Sequence, residues 1–126
     1  MNNEVIENNK KYIQKSTYII LAYGIFHMIV ALSFINDKNF SGVPAGEIVV
    51  WSLIILFTYL SYRFLSITSG ILSLFMLLFH FFAAMGMNTE TEAIINLILI
   101  IVLTTILYRI YKQKKYITLF EKNFQN

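Results

Sequence analysis

Between Ile48 and Met87 the chain runs forty residues with a single charged side chain, Arg63. One helix of that length would extend about 60 Å, roughly twice the hydrocarbon thickness of a bilayer. The stretch therefore reads as two membrane spans with a turn at Arg63. No Gly or Pro marks that turn. Ser61, Arg63 and Ser66 are its only local polar residues.

A further span fits on each side. Thr17 to Ile35 contains no charge, and the last apolar run extends from Ala93 to about Tyr111. A span needs about 20 apolar residues, so the sequence gives spans over 17–35, 46–62, 64–87 and 93–111, with tails 1–16 and 112–126. The segment Asn36–Gly46 holds the only proline and two of the five glycines, and Asn88–Glu92 is short and polar. Both read as loops.

Composition supports lipid as the solvent. The 126 residues form a single domain that is 57% hydrophobic and 13% charged, whereas soluble domains carry about 25% charge. A chain this small has too much surface to cover with so few polar residues. The expected fold is all-α, an antiparallel membrane four-helix bundle in up-down-up-down order. Short amphipathic segments flank it at residues 1–15 and 112–126.

Sidedness follows from Lys and Arg. Four spans put Lys10, Lys11, Lys15, Arg63, Arg109, Lys112, Lys114, Lys115 and Lys122 on one face and leave only Lys38 on the other. This split places both termini in the cytoplasm of a cell-membrane protein. Tyr18, Tyr59, Tyr62, Tyr108 and Tyr111 fall near inner span ends and Trp51 near an outer one, as aromatic belts do. Lys10–Lys15 followed by an apolar run and Ala31-Leu32-Ser33 has elements of a cleavable signal, but the run is long. The first span is read as an uncleaved anchor.

Function classes narrow by subtraction. The absence of cysteine removes disulfides, thiolate metal sites and thiol nucleophiles. No Gly-rich phosphate loop, HExxH pair or nucleophile elbow is present. A Ser-His-Asp triad would have to borrow Asp37 from a loop. No span interior holds Asp, Glu, Lys or Arg, which argues against a proton-coupled transporter. The basic tail is too short and too close to the membrane for nucleic acid. Lys112, Lys114 and Lys115 form instead a lipid or partner surface.

The polar residues left inside the spans are the candidates for function. His27 lies on a stripe with Thr17, Ile20, Gly24, Ala31 and Phe34. His80 lies on one with Ser66, Gly70, Ser73, Leu77 and Ala84. Spacings of three and four keep each set on one helix face. Gly24, Ala31, Ser66, Gly70, Ser73 and Ala84 allow close helix packing in lipid. Tyr23 is one turn before His27, and Asn96 begins the fourth span, where it reads as a cap or an interhelical hydrogen-bonding group. The phenylalanines around His80 read as packing or lipid-facing bulk.

Two imidazoles on parallel spans could ligate haem b or serve protons or a quinone. Zinc is disfavoured, because three or four ligands are needed and the spans supply no Asp or Glu to join the histidines. Neither histidine has an evident acidic partner. The leading expectation is a non-enzymatic membrane protein, acting as an accessory subunit, immunity protein or regulator. It would work through lipid contacts and through helix contacts with a membrane-protein partner or a second copy. The alternatives are a haem- or quinone-associated protein using His27 and His80, and an oligomeric pore or small permease. The space between the first and third spans discriminates. A packed seam favours the first class, and a slot of several hundred Å³ with both imidazoles facing it favours a ligand.

Overall fold

A computed structural model describes the backbone of residues 3–36, 43–86 and 90–125, with side chains for 4–36, 43–86 and 90–115. It contains four helices: α1 (Asn3–Ser33), α2 (Val43–Phe64), α3 (Ile67–Gly86) and α4 (Glu90–Gln125). All four are long and apolar enough to cross a membrane, as in a multi-pass membrane protein.

The helices pack as a bundle in which α1 adjoins α2 and α4, and α3 adjoins α2 and α4. Burial follows the period of the helix. On α3 the buried positions are Gly70, Ser73, Leu77, His80 and Ala84, which is the stripe expected from sequence apart from Ser66. On α1 the stripe holds through Ala31, but Phe34 lies beyond the helix and is exposed. On α4 the buried face is Ala93, Asn96, Leu99, Leu103, Ile106, Ile110 and Gln113. Only 22–33% of the most apolar window of each helix is buried by protein. Phe26, Ile29, Phe75, Phe79, Phe82 and Ile101 all point outward. Such a surface suits acyl chains or apolar protein partners rather than water.

Two glycines set how closely helices meet. A Cβ on Gly24 would stand 2.8 Å from Ile55 Cγ1, and one on Gly70 would collide with Leu107 and stand 2.8 Å from Ser61 Oγ. Ser73 joins α3 to α2 through a 2.6 Å hydrogen bond with Thr58.

The turn after α2 works without glycine. Leu65 takes the left-handed conformation at φ 49°, a position that helix ends commonly give to Gly. Ser66 N–H donates to Ser61 O at 3.0 Å. Ser61 Oγ–H donates to Ser66 O at 2.9 Å, and Ser66 Oγ accepts from Ser69 N–H. Ser66 is thus a capping residue at the start of α3 as well as a small one.

Several element ends differ from expectation. Pro44 and Gly46, read as loop, lie in the first turn of α2, where proline costs no helix hydrogen bond. Glu90 and Glu92 open α4 rather than ending a loop. The flanking segments continue α1 and α4 as unbroken helix instead of forming separate pieces. At that end Asn9 Nδ2–H donates to Gln113 Oε1 at 3.0 Å and to Arg109 O at 3.2 Å. Arg109 donates to Asn9 Oδ1 and lies 3.8 Å above the Tyr12 ring. Asp37 and Lys38 lie outside the described residues.

Candidate functional site

Far from these basic residues, one polar side chain from each helix meets inside the bundle. They are His27 of α1, Glu47 of α2, His80 of α3 and Glu92 of α4. Helical spacing places the histidines on the inward stripes described above. Glu47 faces inward because it lies one turn before Trp51, which is fully buried. Glu92 lies one turn before Asn96, also fully buried.

Both oxygens of Glu47 accept from His80 Nε2, at 2.9 and 2.8 Å. The other ring nitrogen, Nδ1, accepts from Asn96 Nδ2 at 2.6 Å. In this arrangement Nε2 carries the proton that Glu47 accepts. Asn96 Oδ1 is buried without a hydrogen-bond partner among the described residues. His27 shares a 2.8 Å hydrogen bond with the Tyr23 hydroxyl. Its ring nitrogens stand 3.8 Å from Glu47 and 3.6 Å from Glu92. Trp51 donates its indole N–H to Glu47 at 3.1 Å and stacks on His27 with centroids 5.0 Å apart.

The two histidines do face each other, with ring centroids 6.0 Å apart at 82°. Tyr23 and Asn96 belong to the same cluster, and Asn96 is an interhelical partner of His80 rather than a cap. Trp51 is fully buried in the bundle and forms the aromatic floor of the site. The expectation that the histidines lack acidic partners, and that no Asp or Glu could complete a metal site, is overturned. Glu47 and Glu92 are helix residues turned into the bundle, and Glu92 is not the loop charge expected.

Above the cluster opens a cavity of about 280 Å³ lined by His27, His80, Glu47 and Glu92 on its polar side. Val30, Phe34, Val43 and Pro44 supply apolar walls. Ala31 and Ala84, expected to pack helix on helix, also border this space together with Ala83. They sit on α1 and α3, which are diagonal in the bundle, and both remain buried. The phenylalanines of α3 do not line it.

The donor atoms of His27, Glu47 and Glu92 lie within 4.8 Å of one another. Zinc ligands stand about 2.0–2.2 Å from the ion, so small side-chain rotations would bring the three onto one ion. Imidazole with carboxylates suits a divalent ion of the zinc or manganese kind. His80 is already committed on both nitrogens and fits the role of orienting Glu47. A haem clamped between His27 and His80 fits poorly. It would require His80 to give up Glu47 or Asn96, and Trp51 packs against both rings.

Fold and site together define an apolar four-helix bundle with a partly buried His/Glu cluster at one end. No family model matches the chain, and none of the curated proteins or solved structures compared with it matches either.

Proposed function

We propose that this is a multi-pass cell-membrane protein that binds one divalent metal ion through His27, Glu47 and Glu92, with His80 and Asn96 holding Glu47 in place. The observation that carries the reading is the convergence of these three donors from three different helices. Two carboxylates share the site, and the described Lys and Arg residues all belong to the opposite end of the bundle. Carboxylates partly withdrawn from water need a positive partner, and a single imidazole cannot balance two of them. A metal ion can. Among the readings open from sequence, this follows the ligand-binding branch, with a bare ion in place of haem.

The orientation proposed is antiparallel, with the site at the outer end and both termini cytoplasmic. The nine-to-one division of Lys and Arg supports it. So do the ties between Asn9 and Gln113 at one end of α1 and α4, and between His27 and Glu92 at the other.

Titration of metal-stripped, detergent-purified protein with Co²⁺ tests the proposal. Saturable binding of one equivalent with visible d–d absorption is expected. His27→Ala and Glu92→Gln should each abolish it while helicity is retained. Absence of saturable binding, or binding unchanged in both variants, refutes it.

A further inference from the structure

The ion would have a free side, and that side adjoins the cavity. Three protein ligands leave an open position on a four-coordinate ion, the pattern of sites that bind an exogenous molecule. His80 cannot close it, because its ring nitrogens are held by Glu47 and Asn96.

The chamber's chemistry is divided. The cluster gives it polar lining, and Val30, Phe34, Val43 and Pro44 are among its apolar lining residues. At about 280 Å³ it lies just under the usual range of about 300–1,000 Å³ for ligand sites, so its occupant is small. Two carboxylates already balance a divalent ion, so the headgroup is uncharged or singly charged. We infer that the site takes a short-chain amphiphile whose oxygen headgroup completes the ion's coordination and whose apolar tail fills the chamber. The inference rests on the metal reading above.

Hexanohydroxamate and acetohydroxamate are suitable probes, sharing a metal-binding head and differing in tail. Each is titrated into the Co²⁺-loaded protein in nanodiscs while the d–d bands are followed. Hexanohydroxamate should shift the bands saturably, with affinity at least about tenfold above acetohydroxamate, since each buried methylene adds to binding. Ala84→Leu, which fills the chamber, should erase that advantage and leave the cobalt spectrum without hydroxamate unchanged. Val30→Phe provides a second filling variant if Ala84→Leu does not fold. Bands that ignore both compounds, or respond to both with equal affinity, overturn the amphiphile site and leave the metal reading standing. So does a hexanohydroxamate advantage that survives filling of the chamber. Failure to take up Co²⁺ at all brings down both.

Discussion

His80 and His27 look equivalent in the sequence, but their hydrogen bonds assign them different work. His80 is only 4% exposed and committed on both nitrogens, while His27 contacts both glutamates at longer range. His80→Ala is expected to weaken Co²⁺ affinity about 10–100-fold, as loss of an orienting partner does, where His27→Ala abolishes binding. Equal loss in the two variants would make His80 a direct ligand. Trp51→Phe keeps an aromatic ring beside His27 but removes the donor to Glu47, and a smaller loss measured in the same titration is expected. The histidines were legible because their three-and-four spacing put them on faces rich in Gly, Ala, Ser and Thr. The glutamates were not: Glu47 stood at the outer end of its expected span and Glu92 in the polar loop before the last one, and a charge at the edge of an apolar window carries no sign that it turns inward. Pro44 held the missing signal. Proline favours the first helical turn and acidic residues follow it there, which would have started the helix before Pro44 and set Glu47 within it, in register with Trp51.

At the scale of the helix, packing depends on two glycines that are not equivalent. A methyl at Gly70 collides outright with Leu107 and meets Ser61 at once, whereas one at Gly24 meets Ile55 and the Trp51 ring at 2.8–3.2 Å. Gly70→Ala should cost about 1–3 kcal/mol, the usual scale for overpacking, and Gly24→Ala less. Thermal unfolding of both variants in one detergent checks the order. Ser61→Ala removes the hydroxyl that holds the Leu65 turn and should cost about 1 kcal/mol in the same assay. The position of this turn was legible from length alone, since forty apolar residues cannot cross a bilayer once. Its construction was not. A leucine at positive φ carries no sequence signature, and the serines that stabilise it resemble any small residues of a span.

For the whole molecule, sequence conveyed the count of helices and the solvent they require, because both follow from hydropathy and length. It did not convey which chain segments meet, since that depends on side chains brought together from distant positions. Asn9 and Gln113 illustrate this. They lie 104 residues apart and share a buried hydrogen bond, yet each is an ordinary polar residue of a tail when read locally. Asn9→Ala would leave Gln113 with a further unmet amide group, and a loss of about 1–3 kcal/mol is expected, seen as a lower unfolding midpoint. A reporter fused after the last residue should be active only in the cytoplasm. Activity outside the cell would reverse the proposed sidedness without disturbing the bundle.

Each of the four helices contributes one member of the His/Glu cluster, and none contributes two. A truncated or half-inserted chain therefore lacks part of the cluster, however well its remaining helices form. Cation capture would then certify that the last helix has joined the first, and it would fasten the chain's assembly at the moment it is complete.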